Sequence, residues 1–202
     1  MEREVIQSIA RNPVMEGKSA LRANLLATRD AQGSPADQAT RNEALGRHLA
    51  EAMSRYPAVS CVGFYWPLTG EFDARDVLTI WLACKASRTA ALPVVVGTRE
   101  PLAFHAWEPK AEMKTGRYRI PVPAAERVMT PELLLIPCLG FDAERYRLGY
   151  GGGYYDRTLV AWADGKKPVT IGVAFESGRC GTLPREPHDI PLDVVVTETS
   201  IY

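Results

Sequence analysis

The chain has 202 residues, 46% of them hydrophobic, enough for one domain of ordinary size to bury a full core without disulfides or a structural metal. Its 24 basic and 24 acidic residues cancel, so no global field draws it to nucleic acid or to an anionic membrane surface, and any anion it binds is held locally. The opening segment is charged and broken by Pro13, no stretch approaches the roughly 18 apolar residues of a membrane span, and Cys61, Cys84, Cys138 and Cys180 lie outside any zinc-ligand spacing. The expectation is therefore a cytoplasmic protein with reduced, mostly buried thiols and no membrane or nucleic-acid partner.

Residues 1–14 are expected to be loosely ordered, with a single domain over 15–202. Helical spacing runs through KSALRANLLATRDA (18–31). A second helix starts where Ser34 can cap, Pro35 fits the first position and Asp37 supplies the acid of a capping box; it repeats apolar residues at Leu45, Leu49, Ala52, Met53 and Tyr56 before Pro57. VSCVGFYW (59–66) reads as a buried strand, Asp73 to Ser87 as a helix, and AALPVVVG (90–97) as a strand. LAFHAWE (102–108) alternates as a strand with one exposed face would, and LLLIP (133–137), VTIGVAF (169–175) and DVVVTE (193–198) complete the set. Strands separated by helices predict an α/β fold, a mostly parallel sheet with helices on both faces.

The segment RLGYGGGYYDRTL (147–159) concentrates four glycines before two tyrosines and an acid, and a helical pattern follows. Glycine lets backbone N–H groups approach an anion, and the start of a helix favours one electrostatically. Gly149, Gly151, Gly152 and Gly153 would wrap phosphate oxygens with Arg147 as a fixed cation. Tyr154 and Tyr155 would anchor the loop's far end or stack on a flat ligand, and Asp156 could hold a magnesium ion. The alternative is a plain glycine-rich turn with Asp156 as a helix-start acid. The loop is neither a Walker A sequence nor a G-x-G-x-x-G fingerprint.

The first helix places its cations on an unusual face. With Lys18 at zero, Arg29 falls at about 20° and Arg22 at about 40°, flanked by Leu25 at about 340° and Leu26 at about 80°. Ala20, Ala23 and Ala27 occupy the opposite side. Either these cations snorkel over a core edge, or they form a second wall of a nucleotide site.

Taken together, KSALR (18–22), GFDAERYRLGYGGGYYD (140–156), GEFDA (70–74), ALPVV (91–95), YRIPVP (118–123), IGVAFE (171–176) and HDIPLDVVVTE (188–198) resemble the 5-formyltetrahydrofolate cyclo-ligase family, also called methenyltetrahydrofolate synthetases. The long glycine motif is the specific one. The resemblance implies a sugar-phosphate isomerase/CoA transferase-like fold and an enzyme that uses Mg2+ and ATP to close 5-formyltetrahydrofolate into 5,10-methenyltetrahydrofolate. It implies ATP contacts from Lys18, Ser19, Ala20, Leu21 and Arg22, and from Arg147, Leu148, Gly149, Tyr150, Gly151, Gly152, Gly153, Tyr154 and Tyr155. Asp156 and Asp189 match the magnesium carboxylates, and Trp66, Glu71 and Tyr118 the folate contacts. Lys18, Glu71 and Arg147 would carry the catalytic roles.

Two positions depart from the family pattern: Trp66, where Leu is common, and Val122-Pro123, where many bacterial members have Glu-Pro. Glu71 also admits a reading as a helix-start acid. His48 and His105 have no ligand partner at useful spacing, His188 precedes Asp189 and reads either as a residue near the metal or as an exposed loop histidine, and Trp81 and Trp107 fit core or strand faces. A monomer or weak oligomer is expected. The rivals are an isomerase or transferase on the same fold, which leaves KSALR unexplained, and a nucleotide- or folate-sensing module without turnover.

Overall fold

The structure, a computed structural model of the chain, describes residues 17–30, 33–162, 167–186 and 189–202. The expected loose segment 1–14 and His188 lie outside the described residues. In chain order the main elements are α1 (Lys18–Asp30), α2 (Pro35–Ser54), β1 (Cys61–Gly63), α3 (Arg75–Ala83), β2 (Thr89–Val95), β3 (Leu102–Trp107), β4 (Met113–Thr115) and β5 (Pro121–Pro123). They continue with β6 (Leu133–Pro137), β7 (Gly140–Phe141), β8 (Arg147–Leu148), α4 (Tyr154–Ala161), β9 (Val169–Val173) and β10 (Val194–Val196).

The capping box forms as its residue types require. Ser34 accepts from the Asp37 backbone N–H, and the Asp37 carboxylate accepts from the Ser34 N–H at 3.0 Å. Expected boundaries shift elsewhere. β1 is confined to Cys61–Gly63, because it pairs β6 only through Val62 and Gly63; Phe64 continues as extended chain, donating its N–H to the Ala91 carbonyl at 2.9 Å. α3 begins at Arg75 rather than Asp73, so Glu71 lies outside its first turn.

Six strands form one sheet in the order β10-β9-β6-β1-β2-β3, every neighbouring pair parallel except β2 with β3. Strand period two divides its residues between the faces. Leu133 and Leu135 of β6 join Val62, Leu92 and Val194 under α2 and α3, while Leu134 and Ile136 join Ala91 and Val195 under Leu159 of α4. Helices therefore cover both faces, as expected. Phe64, fully buried, meets Trp107 edge-on with ring centroids 4.9 Å apart, so Trp107 is a core residue. All four thiols are free: Cys61 is buried and Cys138 and Cys180 half-buried, whereas Cys84 departs from expectation, exposed at the end of α3.

The strand order reverses at β1. From there the chain crosses by α3 to β2 on one side, and β6 lies on the other. Connections leaving the carboxyl ends of two such strands diverge, and ligands bind in the crevice between them. Two antiparallel hairpins that the strand patterns did not reveal, β4–β5 and β7–β8, form separate two-stranded sheets beside the main one.

Candidate active site

The chain after β1 supplies one wall of the crevice and the chain after β6 another. Leu25, Arg29, Tyr65, Glu71, Cys138 and Phe175 line the cleft between them. Tyr65, 4% exposed, donates its hydroxyl to the Phe72 carbonyl at 2.9 Å, and the Leu68 N–H donates to the Glu71 carboxylate at 2.7 Å. Burial raises the Glu71 carboxyl above the usual carboxylate range, opposed by the Leu68 N–H, the Tyr150 hydroxyl and the charge of Arg29. Burial also pushes the Cys138 thiol up to about 12, so it remains a thiol and is no nucleophile at neutral pH.

The glycine loop runs from β8 to α4 and is held from outside by arginines. Arg22 Nε donates to the Gly149 carbonyl at 2.8 Å, and Arg157 Nη2 to the Gly152 carbonyl at 2.7 Å. Arg29 Nη1 donates to the Tyr150 hydroxyl at 2.7 Å. With carbonyls committed to cations, the loop's N–H groups remain the anion-seeking edge. Gly153 caps α4 in the left-handed region at φ +64°, and no side chain among the described residues caps the helix start. Its first N–H groups are thus available to a phosphate.

α1 turns its cations inward. Lys18, Arg22 and Arg29 are half-buried while Ser19, Ala20, Ala23 and Ala27 are exposed. Leu21 packs with Leu148 and Leu183, which seats the helix beside β8. Of the five residues 18–22, Lys18 and Arg22 therefore reach polar partners across the site, Leu21 is a packing residue, and Ser19 and Ala20 face away. The bonds made by Arg22 and Arg29 tie the stripe into the loop, which snorkelling over a core edge would not do.

Each expected metal carboxylate is ion-paired with an expected phosphate cation. The Asp189 carboxylate accepts from Lys18 Nζ at 2.7 Å, with Glu186 at 3.3 Å, and Asp156 accepts from Arg147 Nη2 at 2.9 Å. The Arg147 side chain is 7% exposed. No cluster of three or more His, Cys, Asp or Glu side chains able to hold a metal occurs among the described residues. The two aspartates nonetheless suit magnesium, a hard cation that takes one or two carboxylates and completes its shell with phosphate oxygens and water.

Of the expected folate contacts, Glu71 lines the cleft, whereas Trp66 and Tyr118 are not among its lining residues. Trp66 is half-buried with the Arg75 guanidinium 4.4 Å above its ring, and Arg75 is itself paired with Asp73. Tyr118, 63% exposed at φ +57° between β4 and β5, shares a 2.8 Å hydrogen bond with the Tyr154 hydroxyl. Two site residues escaped the motif reading. Arg157 grips Gly152 from the first turns of α4, and Cys138 enters because β6 ends beside β1; neither residue's spacing in sequence announces its neighbour.

Residues 14–198 match the 5-formyltetrahydrofolate cyclo-ligase family. The chain is 31% identical over 172 residues to the 5-formyltetrahydrofolate cyclo-ligase of Escherichia coli, covering 80% of this chain and 92% of that one. To the enzyme of the same name from Haemophilus influenzae it is 30% identical over 184 residues, 87% of this chain and 91% of the relative. Its fold is similar to 5,10-methenyltetrahydrofolate synthetase from Aquifex aeolicus, with a TM-score of 0.73, 28% identity and 91% of each chain covered. The synthetase from Mycoplasma pneumoniae, at 24% identity, shares the fold with a TM-score of 0.74 over 91% of this chain and 99% of that one. On the extent of these matches, and with the glycine loop and α1 cations joined at the sheet's switch point, this chain belongs to the 5-formyltetrahydrofolate cyclo-ligase family and is an enzyme of the ligase class.

Proposed function

We propose that residues 15–202 form one catalytic unit that converts 5-formyltetrahydrofolate and Mg-ATP into 5,10-methenyltetrahydrofolate, ADP and phosphate. The observation that carries this reading is the junction of α1 and the glycine loop through the Arg22–Gly149 bond, with Glu71 across the crevice. An anion-binding edge and a desolvated carboxylate then face one another at the switch point.

An N-formyl oxygen is a poor leaving group, and the chemistry required is its conversion to phosphate. The formyl oxygen attacks the γ-phosphorus and the bond to ADP breaks, giving an iminium phosphate. N10 of the folate attacks the same carbon and loses its proton to solvent, and the carbon–oxygen bond breaks as phosphate departs. Such transfers require positioning and charge neutralisation more than covalent help. Arg147, Lys18 and the N–H groups of the loop and of the start of α4 hold phosphate oxygens. Glu71 orients the folate by accepting a hydrogen bond from its ring N–H, and Trp66 and Tyr118 hold its rings.

Asp156 and Asp189 would hold the magnesium ion, which neutralises phosphate charge when bound. The glycine loop closes over the reacting groups and keeps water from the iminium phosphate. The test is to mix the protein with 5-formyltetrahydrofolate and Mg-ATP and follow the near-ultraviolet absorbance of the conjugated product. ATP-dependent growth supports the reading; ATP left intact and no absorbance change overturns it.

A further inference from the structure

Of the tyrosines in the cleft, the glycine loop and the expected folate contacts, Tyr65, Tyr118, Tyr150 and Tyr154 have committed hydroxyls. Tyr65 donates to the Phe72 carbonyl, Tyr154 bonds Tyr118, and Tyr150 meets Arg29 and Glu71. The hydroxyl of Tyr155 is closed off from solvent and has no hydrogen-bond partner among the described residues. A buried donor without a partner is costly in a folded protein, and such groups mark places where a ligand supplies the missing acceptor.

Its position says what that acceptor is. Tyr155 is the second residue of α4, so the helix start that presents backbone N–H groups to a phosphate also directs this ring inward. The ring packs against the cluster formed by Ile136, Phe141 and Leu159, and the Arg147 guanidinium stands 5.9 Å from its centroid. The hydroxyl feels the charges of Glu71 and Arg147 and lies near the Cys138 thiol. Burial, with Glu71 nearby, raises the phenol above its ordinary value, so at working pH it is a neutral donor.

Building on the cyclo-ligase reading, we propose that the Tyr155 hydroxyl is a catalytic residue, donating a hydrogen bond to the oxygen that joins the formyl carbon to phosphorus and that gains charge as phosphate departs. No proton is transferred; the donor matches charge that develops in the transition state and is absent from bound substrate.

The test compares wild type with Tyr155→Phe in the methenyl-forming assay, alongside thermal unfolding. Expected are a kcat lower by about 100-fold, KM values for both substrates within about twofold, and an unchanged or higher Tm, because the hydroxyl that is lost had no partner. A kcat within about threefold of wild type overturns the proposal. A lower Tm with raised KM values also overturns it, since that is the signature of packing. Wild type run in parallel separates the two levels of argument: if it forms no product the cyclo-ligase reading falls and this role with it, whereas an active wild type leaves only Tyr155 at stake.

Discussion

Lys18 Nζ and the Asp189 carboxylate meet at 2.7 Å, joining the first turn of α1 to the segment before β10. Arg147 and Asp156 repeat the arrangement on the other side of the glycine loop. Both pairs join a cation suited to phosphate with a carboxylate suited to magnesium. On the proposed reading, a magnesium nucleotide would replace both partnerships, with phosphate held by the cations and the metal by the carboxylates, whereas a nucleotide alone would strand a carboxylate in a desolvated site.

Asp189→Asn is therefore expected to tighten metal-free ATP binding by about 10-fold, a shift of about 1.4 kcal/mol. The magnesium requirement for turnover rises in the same variant. Calorimetric titration of ATP with and without a chelator checks the first expectation, and a metal titration of the rate checks the second.

Lys18→Ala removes the same pair from its other end. The ATP KM is expected to rise about 10- to 100-fold, the scale of a charged hydrogen bond worth about 1.5–3 kcal/mol, with a smaller effect on the folate KM. Equal losses for the two substrates would show that Lys18 does not serve the phosphates.

A Cβ at position 152 would stand 2.9 Å from the Tyr154 ring, so Gly152→Val must displace the loop or the ring. Gly152 is exposed, and the core beneath does not depend on it. The expected outcome is a raised ATP KM or abolished turnover with Tm changed little, measured by steady-state kinetics and thermal unfolding. Unchanged kinetics would remove the loop from the site.

Glu71→Gln separates stability from function. Because burial raises the folded carboxyl above its unfolded value, the favourable contribution belongs to the protonated form; it is present at low pH and lost as pH rises through the folded pKa. The variant is accordingly expected to be more stable than wild type at neutral pH, with the advantage vanishing as pH falls to about 4.5. Its turnover falls, because a neutral amide is a weaker acceptor for the folate N–H. Thermal unfolding across this pH range, paired with kcat, provides the measurement.

Ser34→Ala breaks the capping box of α2 far from the crevice. It is expected to cost about 1 kcal/mol of stability and to leave kinetic constants unchanged, as determined by denaturant unfolding and the absorbance assay.

The legible part of this protein was what local physics dictates. Period and capping chemistry placed α1 and α2, apolar runs placed β6 and β9, and the wheel of α1 put Lys18, Arg22 and Arg29 on the leucine side before any partner for them was visible. The glycine motif carried enough residues in one stretch to mark a family and to suggest an anion site. Less was legible where an element is made by its neighbours: β4 and β5 are three residues each, and the turn between them holds Tyr118 in a conformation no propensity favours.

By itself the sequence determined the helices and the strands of the main sheet, and the residue types available for phosphate, metal and folate, because these follow from spacing along one chain. Only the tertiary structure decided which of those residues meet. It matched Lys18 with Asp189 across 171 positions, set Glu71 outside a helix start, and left the Tyr155 hydroxyl without a partner among the described residues. The reason is physical: charge pairing, desolvation and an unsatisfied donor are properties of distances between segments, and those distances exist only once the sheet has assembled around its switch point.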